Sequence, residues 1–534
     1  MQAVVAQNLN IGGVTANNDI IGWGDLYELS LTSHNYGTAR SMAMGNAFTA
    51  LGADMVSASL NPAGIGMYIN SDLSFSPMIQ ATKSPTEGAL PFVSNKFSDS
   101  STRFGFSSLG IVLTTYRGTG ALTNFNIGVA YNRIADFNKS SKFASFDNLS
   151  NDSMANLLCE FSNAEGLQTN SNGTMDFGND PYYWGAVLAY KNGLTNKDAQ
   201  GWYIDRIGED ATIDQFTAIE SRGSVGEFAF SFGFNFVDKL YFGFTIGAQT
   251  VDYQRNVFYG EDYRYATYPS GELMPYQLEY MNYMQTTTIS GTGINLKLGL
   301  TWRPVNWLRI GVAYHTPTAY NLSLQYWGDM WSSTYSAGSN PENYDIGNDG
   351  YFSDKVESPA WEDTGEYAWL TSSPARFMVG AAATVAQRLI ISADYECSRY
   401  NKARLRGSPI QGLDYTSVMN TFFKRSNTVR LGAEFRLLPA VDLRAGYIWS
   451  GSALIYPDEI YTHPVTKQQS YITAGAGFRL SNTVNLDLAY QYNYSKSTAY
   501  QSFFATSSTT LIESVPVATN SARHIAVVTL GFRF

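Results

Sequence analysis

The chain is poor in charge. Only 15 % of its 534 residues are Asp, Glu, Lys or Arg, against roughly 25 % in soluble domains. It also lacks long apolar runs. No stretch of about 20 apolar residues occurs, which excludes helical membrane spans, and the mean hydropathy is −0.18. Histidine is scarce, with His34, His315, His463 and His524 scattered along the chain. None falls at metal-ligand spacing and no nucleophile elbow is present, so neither an enzyme nor a metal or other cofactor is expected. A net charge of −10 argues against a nucleic-acid partner. The two cysteines, Cys159 and Cys397, are far apart, and spacing alone does not decide whether they pair.

What is abundant is aromatic: 36 Tyr and 31 Phe, beside 47 Gly. Few charges, many aromatics and no helical span fit an all-β fold, a transmembrane antiparallel β-barrel whose hydrophobicity alternates and averages out. The last residues, Arg523 to Phe534, carry the pattern. Ala526, Val528, Leu530, Phe532 and Phe534 fall on one face of a strand, and Thr529, Gly531 and Arg533 on the other. An amphipathic strand ending on an aromatic resembles the closing strand of an outer-membrane barrel, which must leave no edge unpaired in lipid.

The same period of two recurs. Phe228, Phe230, Phe232, Phe234 and Phe236 alternate with Ala229, Ser231, Gly233 and Asn235. Leu296, Leu298, Leu300 and Trp302 alternate with Asn295, Lys297, Thr301 and Arg303, and Val484 to Tyr494 reads likewise. One greasy and one polar face mark a half-buried strand, here between lipid and lumen. Tight links at 237–239, 304–306, 386–387, 439–440 and 481–482 alternate with long polar loops at 258–284, 327–370, 401–424, 451–467 and 495–521. Sorting of loops by length is the mark of short periplasmic turns opposite long extracellular loops, and about fourteen strands, an even number, fit between Asp72 and Phe534. Pro77 weakens the first strand.

Three regions depart from the rhythm. Met1 to Ala6 reads as the remnant of a signal peptide, with Val4 and Ala6 at the positions a signal peptidase prefers. Residues 7–70 form a non-alternating N-terminal segment, and residues 71–534 hold the barrel. Residues 135–223 are too long for a simple loop. Met154, Leu157, Leu158 and Phe161 stand at helical spacing behind Ser150 or Asp152 as a cap, and a second helix is expected between Asp198 and Ile219.

The N-terminal segment contains Ala39-Arg40-Ser-Met42-Ala-Met44-Gly45-Asn-Ala-Phe48-Thr-Ala50, then Asn61-Pro62-Ala63-Gly64. Small residues crowd it, consistent with a short helix in a confined space. The two elements, in this order before a first strand, resemble the hatch of the FadL family of outer-membrane long-chain fatty acid and hydrocarbon transporters. That resemblance implies a fourteen-stranded barrel plugged by residues 7–70, in the outer membrane of a Gram-negative bacterium. It also implies passive uptake of hydrophobic small molecules, which diffuse past the hatch and leave sideways through an opening made by a kink in the third strand. In this chain that strand offers only Gly128. The family catches its ligand with the loops after the fifth and seventh strands, whereas here the connection after the third is longest. Some relatives instead scaffold outer-membrane or secretion assemblies.

On this reading Arg40, Gly45, Phe48 and Asn61 to Gly64 are the hatch motif, and Met42, Met44, Phe48 and Leu51 are candidate ligand contacts. Asp394, Glu396, Arg430, Glu434, Arg436, Asp442 and Arg444 lie on the polar faces of neighbouring strands. They form a charge ladder in the lumen, either structural pairing or a docking wall for the hatch or a ligand carboxylate. A loop at 340–366 is acidic but lacks EF-hand spacing. The tyrosines between Tyr259 and Tyr283 suit a partner interface or a greasy ligand, with a headgroup belt as the competing account. The expected partners are outer-membrane lipid, a hydrophobic small molecule and, in the alternative function of a non-transporting subunit, other outer-membrane proteins.

Overall fold

Period-two alternation becomes strand throughout the computed structural model. It describes residues 35–88, 97–149, 153–176, 184–207, 211–265, 276–336, 343–345, 351–357, 369–406, 423–453, 468–496, 504–506, 511–513 and 517–534. Met1 to Ala6 and the greater part of the acidic loop lie outside the described residues. Fourteen antiparallel strands close into a barrel. The first six are β1 (Asp72–Gly88), β2 (Phe97–Arg117), β3 (Leu122–Asp136, continued by Lys139–Leu149), β4 (Ala211–Phe236), β5 (Leu240–Tyr265) and β6 (Tyr276–Val305). Then follow β7 (Leu308–His315, continued by Ala319–Ser336), β8 (Trp369–Ser372, continued by Arg376–Val385), β9 (Leu389–Arg399, continued by Arg404–Arg406) and β10 (Arg425–Leu438). The last four are β11 (Val441–Ser450), β12 (Gln468–Arg479), β13 (Val484–Lys496) and β14 (Val517–Arg533). Strand β14 pairs with β1, Phe532 opposite Leu73, so the last strand closes onto the first. Pro77 sits beside a bulge where Ser76 faces Ser108 and Pro77 faces Phe106, a position that does not require its missing N–H.

The outward positions form an apolar belt: Leu73, Phe75, Phe106, Leu113, Phe228, Phe230, Ile246, Leu298, Leu300 and Leu443 are all exposed. The inward positions are polar or small. A spanning strand needs only about 9–11 residues, yet β4 and β5 have 26 each and β6 has 30. This sector therefore rises as a wall beyond the belt, on the side of the long connections. Most of the expected loop at 258–284 is strand. Tyr259, Tyr263 and Tyr283 are buried, so these three form neither a partner surface nor a headgroup belt.

The region between β3 and β4 is partly helical, but the cap of its first helix and the place of its second differ from expectation. The first helix, α2 (Met154–Ala164), buries Met154, Leu157 and Leu158 as its spacing predicts (α1 is the hatch helix below). Its cap is Ser153, whose hydroxyl accepts from Ala155 N, not Ser150 or Asp152. The second, α3 (Trp184–Lys191), lies before the predicted place. The described residues of Asp198–Ile219 hold no helix: Tyr203–Asp205 is a short strand, and from Ala211 the chain is already β4. Ala211, Ile213, Gln215 and Thr217 are buried at period two, and β-branched residues favour that pleated surface. Both helices pack into the barrel mouth against Val251, Tyr253, Leu278, Met281, Tyr320 and Leu324. Glu261 anchors α2, accepting from Ser153 Oγ at 2.6 Å and Met154 N at 2.8 Å, and from the hydroxyls of Tyr259 and Tyr263.

Candidate functional site: the hatch and the wall seam

The segment before β1 fills the other end of the lumen. Its only α-helix among the described residues is α1 (Ala39–Ala43), shorter than the crowd of small residues implied. Thr38 caps it, accepting from Ser41 N and donating to Asp54 at 2.7 Å. Beyond Met44 the chain turns through left-handed Gly45 (φ 59) and Asn46 (φ 50). A Cβ on Gly45 would stand 2.9 Å from the carbonyl oxygen of Leu431 in the wall, so turn and close approach both require glycine there. Asn61 caps the helical turn Pro62–Met67, with Pro62 at its first position, where no N–H is needed. The Asn61 amide also donates to Thr301 Oγ1 at 3.2 Å and to Thr49 O. The hatch motif is thus a set of turns and caps.

Inward side chains of the wall hold this segment from nearly every side. Ser107, the extra residue of the β2 bulge, donates to Gly37 O at 2.6 Å. Asn126 donates to Ile65 O and Tyr68 O, both at 2.8 Å, and Thr473 donates to Ala43 O at 2.9 Å. Glu227 accepts from Ser59 at 2.7 Å and pairs with Lys297, both carboxylate and ammonium being buried. His315 Nε2 contacts Leu60 O at 2.8 Å. Of these wall residues the alternation assigns only Lys297 to the lumen face, and nothing in the sequence points any of them to the hatch. Each occupies the inward phase of its strand, and that phase is the only signal that could have found them.

The charged residues of the ladder sort into four groups. Asp394 accepts from Thr49 N at 2.8 Å. Glu396 accepts from Arg376 at 3.2 Å and Arg430 at 2.7 Å. Glu434 accepts from Arg40 in α1 at 2.9 Å and from Arg444 at 2.7 Å, and Arg444 reaches Asp487 at 2.6 Å. Arg436 and Asp442 pair at 3.2 Å near the short turns, with Arg436 largely exposed. Met42, Met44, Phe48 and Leu51 are buried. Met44, Phe48 and Leu51 pack on Ala313, Met378 and Ala382, and Met42 on Met78, Ala489, Ile525 and Val527. Arg40 also lies over the Phe48 ring, 5.5 Å from its centroid. The thiols of Cys159 and Cys397 are free, and no cluster of metal-ligating side chains occurs among the described residues.

The wall itself carries a discontinuity. Strands β2 and β3 pair from Arg117–Asn124 up to Ser108–Asn132 and no further. Above that level β2 stays with β1 as far as Phe97–Thr86, while β3 stays with β4. The ladder is therefore open between 97–107 and 133–149. The break in β3 falls at Phe137 and Asn138, beyond a register shift at Arg133 and Ala135, and not at Gly128. Phe137 N turns to Gly223 O at 3.0 Å. Gly223 is left-handed (φ 109), and a Cβ there would stand 2.1 Å from Asp252 O.

Side chains bridge the seam. Arg133 donates to Phe106 O at 3.1 Å, a carbonyl with no ladder partner on β3, and to Asp136 at 2.8 Å. Higher up Ser140 donates to Asp99, and Thr86 to Lys142 O at 2.6 Å. Between these bridges lies a cavity of about 320 Å³, lined by residues that include Met78, Gln80, Arg103, Phe104, Arg133 and Asp136.

A closed barrel with an apolar belt, a plug tied to its wall and an unpaired seam defines a plugged outer-membrane channel. The family model described as "Outer membrane protein transport protein (OMPP1/FadL/TodX)" matches residues 173–534, and the chain belongs to that family, in the outer membrane of a Gram-negative bacterium. The matched span begins inside the region between β3 and β4, so the hatch motif lies before it.

Among solved structures, the Pseudomonas putida toluene transporter TodX aligns at 12 % identity and a TM-score of 0.51, over 94 % of this chain and 99 % of its own. The Ralstonia pickettii toluene transporter TbuX gives 16 % and 0.46, over 95 % and 100 %. A Pseudomonas aeruginosa FadL homologue gives 13 % and 0.49, over 94 % and 98 %. At these identities the likeness is one of fold. A comparison with curated proteins gives no match.

Proposed function

We propose that this barrel takes up hydrophobic small molecules passively, long-chain fatty acids among them, and that they leave sideways through the seam between β2 and β3. The open ladder above Ser108 and Asn132 carries this reading. A closed ladder offers no lateral path, and this one opens beside a cavity and next to the hatch anchor at Ser107. TodX and TbuX are named as toluene transporters. Arg103 faces the cavity with Glu220 as its carboxylate at 3.6 Å, which favours a chain with a charged head over a bare hydrocarbon.

The test is uptake of labelled oleate and of labelled toluene by cells that lack their own channel and express this chain. Faster oleate uptake than in empty-vector cells is expected. No gain for either compound, with the barrel folded in the outer membrane, would defeat the reading.

A second reading, a non-transporting subunit of a larger assembly, draws on apolar side chains exposed away from the belt: Leu149 is 71 % exposed and Trp202 60 %. Gentle detergent extraction of the tagged chain separates the two. A subunit brings stoichiometric partner proteins, and a channel comes mainly alone.

A further inference from the structure

The seam has a second chemical character, set by where it stands in the bilayer. The apolar belt ends on a row of neighbours across it. Ile79 pairs with Phe104 on one side, and Tyr131 pairs with Phe228 on the other. Ile79 is 50 % exposed and Phe104 70 %. Phe104 and Phe106 meet edge to face at 5.7 Å, and Phe106 lies 5.4 Å from Phe75. Arg133 stands two residues beyond Tyr131, and Arg103 directly beside Phe104. The cavity thus begins where the hydrocarbon ends, on the side of the long connections.

Its charges are unevenly committed. Arg103, Arg133 and Arg222 line it, with Asp136 and Asp252. Asp136 is surrounded by donors: Gln80 at 2.8 Å, Arg133 at 2.8 Å, and the backbone and side-chain amides of Asn138. Its backbone carbonyl receives Arg523 from below at 3.3 Å. Glu220 is shared between Arg222 at 2.6 Å and Arg103 at 3.6 Å. Higher up, Asp99 is taken by Ser140 and Lys142. Arg103 therefore has one distant carboxylate and an open cavity in front of it.

We infer that this cavity is a binding site for a phosphate group of an outer-leaflet glycolipid, with Arg103, Arg133 and Arg222 as its ligands and Phe75, Phe104 and Phe106 against the acyl chains. Arginine forks match phosphate oxygens in bidentate fashion, and basic pockets at the headgroup level recognise anionic lipids. The volume of about 320 Å³ is at the lower end of ligand pockets, roughly 300–1,000 Å³, enough for a phosphate and part of the sugar that bears it. A lipid seated here covers the open ladder from the membrane side. The inference does not depend on transport, because the seam and the arginines are present whatever passes through the barrel.

The full-length barrel in detergent is titrated with bis-phosphorylated lipid A, with the same lipid after enzymatic dephosphorylation, and with oleate, and binding is read by native mass spectrometry. One phosphorylated lipid per barrel is expected, with about tenfold weaker binding after dephosphorylation. The double variant Arg103→Gln/Arg133→Gln should lose at least tenfold, whereas Arg479→Gln, exposed near the short turns, should lose nothing. Equal binding of the two lipid forms to the unaltered protein overturns the inference, whether or not the variant folds. So does binding of oleate without binding of the phosphorylated lipid, since the arginines would then serve a carboxylate.

Discussion

Arg40 in the hatch and Glu434 in the wall form a two-point contact: Nε and Nη2 donate to the two carboxylate oxygens at 2.9 and 3.2 Å. They are 394 residues apart in the chain, so the pair ties the hatch to a late strand. Glu434→Gln removes the charge shared by Arg40 and Arg444. The expected cost is about 2–3 kcal/mol, below the roughly 3–5 of a fully buried pair, because Arg40 is 26 % exposed. A lower unfolding midpoint in heat-modifiability gels, with faster protease cleavage near α1, checks it.

The wall makes room for the hatch with glycine. A Cβ on Gly243 would stand 2.3 Å from the carbonyl carbon of Pro62, and one on Gly299 would stand 1.9 Å from the Asn61 side chain. Gly243→Ala meets backbone that cannot turn aside, so a loss of about 1–3 kcal/mol is expected from overpacking. Gly120→Ala, where a Cβ meets nothing within 4 Å, is the control and should leave stability unchanged. Thermal melts in detergent decide between them.

The outer insertion should dock more tightly in acid. Asp205, next to α2, has its carboxyl raised above the ordinary 3.8 by burial, against hydrogen bonds from Ile207 N and Asn156. A raised folded value means that the native state holds its proton better than the unfolded one. The penalty is therefore absent below 3.8, grows as pH rises through the raised value and is complete above it. Protease cleavage of the insertion should be slower at low pH than at neutral pH, and Asp205→Asn should flatten that difference. Equal rates in the unaltered protein would contradict the assignment.

Burial, with Asp205 and Glu160 nearby, also pushes the Cys159 thiol well above its ordinary value. The thiolate is the reactive form, so Cys159 should resist alkylation at neutral pH in the folded barrel and react once denatured. Mass spectrometry should find no Cys159–Cys397 linkage in oxidised protein, since both thiols are free.

The barrel was legible because lipid and lumen impose opposite chemistry on successive residues. Phe228 to Phe236 and Leu296 to Trp302 could be read residue by residue. What escaped depends on pairing between strands. Gly128 looked like the one place for a kink, yet the ladder opens at Phe137 and Asn138, where Gly223 on another strand permits the turn. Glu227 and Lys297 lie on different strands, and only register makes them a pair. The helix expected within Asp198–Ile219 failed where a polar strand outside the belt has no greasy face to announce it. The site residues of the hatch were visible as a motif, but their partners in the wall carry no local mark beyond phase.

The claim that matters most is that the seam between β2 and β3 is the way out, and a reversible lock across it is the direct test. Asp99 and Ser140 already touch across the opening. In Asp99→Cys/Ser140→Cys, made in a background without Cys159 and Cys397, oxidation should join the two strands. Labelled oleate uptake should then fall to the empty-vector rate and return on reduction, with the barrel heat-modifiable in both states. Unchanged uptake through a barrel shown by mass to be crosslinked would contradict the account.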